Sequence, residues 1–242
     1  RLSEAVKRYP DRFAGFACLP WADPKAAAEE LVRAVTELGL KGALLGGRPS
    51  KEAIFLDDPR FDPVMEAANR LEVPIYIHPG SPTPAVQADY YGRMEERLSG
   101  RLSVFGWGWH NEAGIQVLRM ILSGSFERFP KLQVISGHWG EFVPFFLFRL
   151  DQALPRDVTG LSKSITETYR EHVYVSPSGI FDMPQLSFAM DMLGAERILY
   201  SVDFPLIGNE GAREFLENAP ISDADKEKIA YRNAAELLKL NI

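Results

Sequence analysis

The sequence predicts a parallel α/β fold, a (β/α)8 TIM barrel that lacks its first two strands. Short apolar runs alternate with segments of helical spacing, which favours a parallel sheet with right-handed crossovers. No Gly-rich phosphate loop follows the first run, so an open dinucleotide-binding sheet has little support. Titratable side chains follow several strand candidates, and in a barrel these strand ends converge on one mouth.

In the first half of the chain, the spacing of apolar residues predicts the strands and helices, and proline or glycine residues mark their ends. Strand 13–19 ends at Pro20, and helix 24–38 carries apolar residues at helical spacing before Gly39. The next elements are strand 41–45, helix 62–71, strand 74–78, a Gly-, Tyr- and Trp-rich loop 79–109, helix 112–122 and strand 132–136. Cys18 occupies a strand position and is expected to be a small core residue.

The second half continues the alternation. Its elements are an aromatic-rich helix 141–151, strand 173–175, helix 182–193, strand 198–202 and helices 210–218, 223–231 and 234–240. Asp182 and Ser222 are predicted N-caps, because their oxygens can accept amide protons of the first helical turn. Six strands are found where a barrel needs eight. Since the chain starts at Arg1 without methionine, we expect the first two strands to lie in an N-terminal stretch that precedes it.

Composition favours one domain, 1–242, that acts on a small molecule. The 242 residues have a net charge of −6, and no dense Lys/Arg run occurs, which argues against nucleic acid or an anionic membrane as partner. No apolar stretch reaches the length of a membrane span. The single cysteine excludes an internal disulfide and indicates a cytoplasmic protein.

Three strand candidates end in side chains that bind divalent metals or transfer protons. Strand 74–78 ends at His78, strand 132–136 is followed by His138, and strand 198–202 is followed by Asp203. Glu141, three residues after His138, is placed in the first turn of the next helix, where it would orient the imidazole. The alternative for each is a strand-end residue satisfied by hydrogen bonds, but three such ends indicate one site.

These motifs resemble the amidohydrolase superfamily, in the branch of γ-resorcylate, 2,3-dihydroxybenzoate, 5-carboxyvanillate and aminocarboxymuconate-semialdehyde decarboxylases. The resemblance spans nearly all of the chain, and the Gly-His-x-Gly-Glu motif with its later Arg-x-Asp is its most specific part. The matching stretches are 9–13, Leu19-Pro20, 39–42, 74–79, Ser123-Gly124, 129–132, 137–141 with Pro144 and Arg149, Ser178-Gly179 and 198–205.

The resemblance implies a metal centre. His78 and Asp203 match metal ligands, His138 matches the catalytic histidine, and the ion would be zinc or manganese. The remaining ligands of the family lie on its first strand, in a His-x-His or Glu-x-(Ala/His) pattern, and this sequence does not supply them. A homodimer or homotetramer is also implied.

The implied reaction is non-oxidative decarboxylation of an aromatic acid with a hydroxyl group ortho to the carboxylate. Asp203 would protonate the carboxylated carbon, while His138, held by Glu141, binds the substrate and carries a compensating proton. Phe204 would contact the substrate ring or else pack in the core. Arg149 would meet a substrate carboxylate in a neighbouring subunit, or else pair with a surface acid such as Asp151. Metal-dependent hydrolysis of a lactone or amide, and a truncated chain that is not an enzyme in this form, are the alternatives.

Overall fold

The computed structural model describes residues 1–50 and 52–241, and it consists of two compact units, Arg1–Val134 and Ile135–Ile242. The strands are β1 (Ala17–Cys18), β2 (Ala43–Gly46), β3 (Ile75–His78), β4 (Val134–Ser136) and β5 (Val173–Val175). In the first unit, β2 pairs in parallel with both β1 and β3. In the second unit, β5 forms a parallel bridge between Val175 and Ile198. The predicted parallel α/β architecture is therefore confirmed.

Helices precede and follow these strands in both units. The first unit contains α1 (Leu2–Arg8), α2 (Pro24–Thr36), α3 (Asp62–Leu71), α4 (Pro84–Val86), α5 (Glu96–Arg101), α6 (Gly108–Leu122) and α7 (Ser125–Arg128), with a 3-10 turn Pro59–Phe61 and π-helical turns Gln87–Tyr91 and Leu102–Gly106. The second contains α8 (Val143–Ala153), α9 (Arg156–Thr159), α10 (Ile165–His172), α11 (Met183–Leu193), α12 (Ala212–Glu217), α13 (Asp223–Glu227) and α14 (Asn233–Leu238), with 3-10 turns His138–Gly140 and Ala195–Arg197 and a π-helical turn Lys228–Arg232.

The core of the first unit lies between its strands and helices. Ile75 and Ile77 of β3 and Leu45 of β2 are fully buried, as is Leu31 of α2. Asp23 caps α2 by accepting the amide of Ala26 at 3.1 Å, as expected for an N-cap carboxylate. The register sets Gly46 opposite His78, so β2 and β3 end side by side. His78 is thus held at the carboxyl end of a buried strand.

The core of the second unit is built in the same way. Val173 and Val175 of β5 are buried together with Ile198, and Leu147 of α8 and Tyr169 of α10 are fully buried. None of the helices in the described ranges 1–50 and 52–241 combines the length and the apolar character that crossing a membrane requires.

Several expectations about single elements are wrong. The predicted strand 198–202 is reduced to the bridge at Ile198, where the next amide, that of Leu199, donates to the Val175 carbonyl at 2.8 Å. Cys18 is exposed, because alternation along β1 turns Ala17 inward and Cys18 outward. Asp182 stands at the N-cap of α11 without a capping side-chain hydrogen bond.

The N-cap prediction for Ser222 is confirmed, since its hydroxyl accepts the amide of Asp225 at 3.1 Å. The position of Glu141 in a first helical turn is wrong. Glu141 and Phe142 both have left-handed backbone conformations, and α8 begins only at Val143.

Candidate active site

His138 and Glu141 form the innermost part of the candidate site in the second unit. Both follow β4, whose three residues are buried, and they lie on and just after the 3-10 turn His138–Gly140. The Nδ1 atom of His138 is 2.7 Å from Oε1 of Glu141, and the Glu141 side chain has no exposed surface. When Glu141 is ionised, its carboxylate can only accept the hydrogen bond, so Nδ1 carries the hydrogen in that state. The predicted contact between Glu141 and the imidazole is present, and the role of Glu141 in orienting the ring stays a prediction.

Burial controls the protonation of Glu141. Removal from water raises the pKa of Glu141 to about 7, although the hydrogen bond from His138 opposes that shift. The negative charge of Asp203 adds to the rise. Near neutral pH this carboxyl group is therefore close to its midpoint, and it can take up or release a proton in the range where histidine also titrates.

Asp203 lies on the other side of the same imidazole. Its Oδ2 atom is 3.8 Å from Nε2 of His138, and its side chain is partly exposed. The His138 ring thus stands between two carboxylates, one fully buried and one partly exposed. This arrangement can hold a positive charge on the ring and pass a proton from Nε2 towards a molecule bound beside Asp203.

The backbone around this site is strained. His138, Trp139, Glu141 and Phe142 all have positive φ angles, between 46° and 67°, and Asp203 has a φ of 70°. Side chains with a Cβ atom avoid this region, and such residues persist only where the surrounding structure holds them. The concentration of five such residues around one imidazole is typical of a functional site.

His78 lies in the first unit, at the end of β3. Its Nδ1 atom is 2.9 Å from the carbonyl oxygen of Pro79, which can only accept, so Nδ1 carries the hydrogen of this bond. The ring packs edge-to-face against Trp109, with centroids 6.3 Å apart. Gly47 and Gly80 pass so closely that a Cβ atom on Gly80 would lie 2.3 Å from the Gly47 Cα atom. Because the two backbone segments are this close, only glycine fits at position 80, two residues after His78.

Phe204 and Arg149 are not part of the hydrogen-bonded pair of His138 and Glu141. Phe204 is 70% exposed, so the core-packing alternative for it is wrong. Arg149 is exposed on α8, and among the described residues it forms no ion pair. Asp151, the surface acid considered as its partner, instead accepts the amide of Thr166 at 3.1 Å.

Sequence reasoning missed a buried ion pair in the first unit. Arg48, in the loop after β2, pairs with Glu112 of α6, and both side chains are about nine-tenths buried. The Arg48 guanidinium also donates to the Ser81 carbonyl at 3.1 Å in the loop after β3. Burial raises the pKa of Glu112, although Arg48 opposes the shift. A charged residue directly after a Gly-Gly break was the signal available in the sequence.

Comparison with known proteins identifies the family of this chain. Residues 1–240 match the family model described as Amidohydrolase. The curated γ-resorcylate decarboxylase of Polaromonas sp. (strain JS666 / ATCC BAA-500) is 36% identical over 250 residues, which cover 99% of this chain and 74% of that protein.

Solved structures give the same result. A candidate amidohydrolase from Staphylococcus aureus is 42% identical with a TM-score of 0.95, covering 99% of this chain and 77% of its own. A dihydroxybenzoic acid decarboxylase from Polaromonas sp. JS666, with bound manganese and the inhibitor 2-nitroresorcinol, is 35% identical with a TM-score of 0.91. That similarity covers all of this chain and 73% of the other.

Proposed function

This chain belongs to the amidohydrolase family, and we propose that it catalyses metal-dependent, non-oxidative decarboxylation of an ortho-hydroxy aromatic acid. The observation that carries the proposal is the His138 ring between Glu141, at 2.7 Å, and Asp203, at 3.8 Å. Decarboxylation of an aromatic acid requires a proton to be delivered to the ring carbon that bears the carboxylate. It also requires the negative charge of the substrate to be stabilised while this happens. An imidazole with one buried and one open carboxylate provides both.

A divalent metal is the proposed cofactor, with His78 and Asp203 as its candidate ligands. Nδ1 of His78 donates to the Pro79 carbonyl, and a hydrogen bond of this kind commonly fixes the ring orientation of a metal-binding histidine. Asp203 provides a partly exposed carboxylate. One imidazole and one carboxylate suit zinc or manganese, and the similar Polaromonas enzyme holds manganese. When bound, such an ion supplies positive charge that orients and polarises a chelating phenolate and carboxylate.

Asp203, His138 and Glu141 have different roles in proton transfer in this proposal. Asp203, in its protonated form, gives a proton to the ring carbon that bears the carboxylate, and this interrupts the aromatic system. His138 binds the acid or phenol group through Nε2 and holds the compensating positive charge. Glu141 keeps the imidazole in that orientation through Nδ1. Loss of CO2 then restores the aromatic ring, and Asp203 regains a proton from solvent or from His138.

Phe204 and Arg149 contact the substrate in this proposal. Phe204 directly follows Asp203, and its exposed ring is free to stack on an aromatic acid. Arg149 shares α8 with three exposed phenylalanines, Phe145, Phe146 and Phe148. An apolar helix face of this kind is typical of a protein interface, so we propose a homodimer or homotetramer in which Arg149 reaches a substrate carboxylate of the neighbouring copy.

Three further predictions from the sequence stand with this proposal. The net charge of −6 favours a small molecule over nucleic acid or an anionic membrane as partner. The lone Cys18 is consistent with a cytoplasmic protein. We propose that residues 1–242 act as one domain in catalysis.

A substrate panel tests the proposed function. The purified protein, loaded in turn with Mn2+ and Zn2+, is incubated with 2,6-dihydroxybenzoate, with benzoate and with an aromatic lactone. We expect CO2 release and loss of ultraviolet absorbance with 2,6-dihydroxybenzoate alone, and neither change with His138→Ala. Benzoate is the matched control, because it has the carboxylate without the ortho hydroxyl. Opening of the lactone without any CO2 release from the acids would show that the chain is a hydrolase instead.

A further inference from the structure

A short loop in the second unit contacts residues on both sides of the candidate catalytic pair. This loop, residues 176–180, follows β5, and we term it the bracket loop. Its Ser176 and Ser178 are buried, although neither takes part in the proposed chemistry. Buried hydroxyl groups are retained where they make hydrogen bonds, so the partners of these two serines show what the loop does.

The bracket loop holds Trp139, the residue after His138, at two points. The Trp139 amide donates to the carbonyl oxygen of Ser176 at 2.8 Å, and its indole N–H donates to the carbonyl oxygen of Ile180 at 2.9 Å. Trp139 has a φ angle of 58°, a conformation that needs external support. The backbone and the side chain of Trp139, the residue next to His138, are thus both hydrogen-bonded to one loop.

The same loop holds the turn around Asp203 at two points. The Ser178 amide donates to Oγ of Ser201 at 3.1 Å, and the hydroxyls of Ser178 and Ser201 are also 3.1 Å apart. On the far side, Gly179 packs against Ile207, whose amide donates to the Asp203 carbonyl at 3.1 Å. A Cβ atom on Gly179 would lie 2.7 Å from Ile207, and its φ of +86° also favours glycine.

The contacts with Trp139 and the contacts with Ser201 are connected inside the bracket loop. The hydroxyls of Ser176 and Ser178 are 3.0 Å apart, which continues the chain of hydrogen bonds from Trp139 to Ser201. Ser178 itself has a φ of 46°, so its conformation is as constrained as those of the residues that it supports. Hydrogen-bonded groups of the bracket loop therefore connect Trp139 with Ser201.

We propose that the bracket loop is the positioning device that fixes His138 and Asp203 at their 3.8 Å separation. Ser178, Gly179 and Ser201 are positioning residues and do not touch the substrate. The proposal rests on the proposed function for its catalytic consequence, because the separation matters only if both side chains take part in one reaction. Its structural part, the coupling of Trp139 to Ser201 through the loop, holds independently of that reaction.

Amide hydrogen exchange of the metal-free protein tests the coupling. Ser201→Ala removes the oxygen that accepts the Ser178 amide, and we expect about tenfold faster exchange at Ser178 and also at Trp139, whose amide donates to the Ser176 carbonyl. Ser201→Thr keeps the oxygen and should restore both rates. Ser125→Ala is the matched control, since it breaks a similar buried hydroxyl pair with Ser123, 2.9 Å long, in the first unit. Unchanged exchange at Trp139 in Ser201→Ala would overturn the coupling.

Turnover tests the catalytic consequence. With the metal-loaded protein and 2,6-dihydroxybenzoate, we expect Ser201→Ala and Gly179→Ala to lower kcat by about 10- to 100-fold with little change in KM. Gly179→Ala acts through Ile207, so it also provides an answer if Ser201→Ala does not fold. Full kcat in both variants would overturn the positioning role. A wild-type protein without decarboxylase activity would instead contradict the proposed function, and the exchange rates would still decide the coupling.

Discussion

Replacement of Glu141 by glutamine tests whether burial controls the charge at the centre of the site. The side chain of Glu141 has no exposed surface, and its pKa is raised from 4.5 to about 7. Glutamine has the same shape and can still accept the hydrogen bond from His138 Nδ1, but it cannot ionise. The substitution therefore removes the titration of Glu141 and leaves the packing almost unchanged.

The size and the sign of the effect follow from linkage. The folded protein binds the Glu141 proton more tightly than the unfolded chain, so stability is highest below the unfolded pKa of 4.5 and falls as the pH rises towards about 7. A rise of this size corresponds to about 3 kcal/mol at roughly 1.4 kcal/mol per pKa unit. Glu141→Gln lacks this penalty. The free energy of unfolding of the variant, minus that of the wild type, should therefore increase by about 2–3 kcal/mol between pH 5 and pH 8.

Urea unfolding of the chelator-treated proteins at several pH values measures this difference. Glu66→Gln, on the exposed surface of α3, is the matched control and should follow the wild type at every pH. A stability difference for Glu141→Gln that stays flat or decreases from pH 5 to pH 8 would refute the reasoning. It would mean that the hydrogen bond from His138 outweighs burial.

Three further predictions concern activity and metal content. His138→Ala should abolish decarboxylation and leave the metal content nearly unchanged; normal CO2 release would assign the role elsewhere. His78→Ala and Asp203→Ala should each lose most of the divalent metal, about one ion per chain in the wild type by elemental analysis; full retention in both would remove the metal site. Arg149→Ala should raise KM for 2,6-dihydroxybenzoate about 10- to 100-fold, as loss of a charge-assisted contact to the carboxylate would; an unchanged KM would exclude that contact.

Most helices and strands of the fold could be predicted from the sequence. Strand 74–78 was predicted almost as it occurs, because Ile75, Tyr76 and Ile77 are apolar or aromatic and Pro79-Gly80 ends the strand at His78. The predicted strand 198–202 failed although its composition is equally apolar. Strand formation depends on partners far away in the chain, and only Ile198 is bridged here.

The candidate site was predicted less completely. The spacing of His138 and Glu141 predicted their contact, but it suggested a helical turn, whereas the contact is made across a run of left-handed residues. No local pattern in the sequence specifies positive φ angles for residues other than glycine. Ser178 was noted as part of a matching stretch, but its hydrogen bond to Ser201 was not predicted, because the two residues are 23 positions apart in the chain.

The central claim is that this chain removes CO2 from an ortho-hydroxy aromatic acid with His138 and Asp203. Its most direct test follows 2,6-dihydroxybenzoate labelled with carbon-13 in the carboxylate, incubated with the manganese-loaded wild type and with Asp203→Asn in deuterated water. Our account predicts labelled CO2 and resorcinol with one deuterium at the former carboxylate position from the wild type, and neither from Asp203→Asn. Equal release of labelled CO2 by both proteins, or none by the wild type, would contradict it.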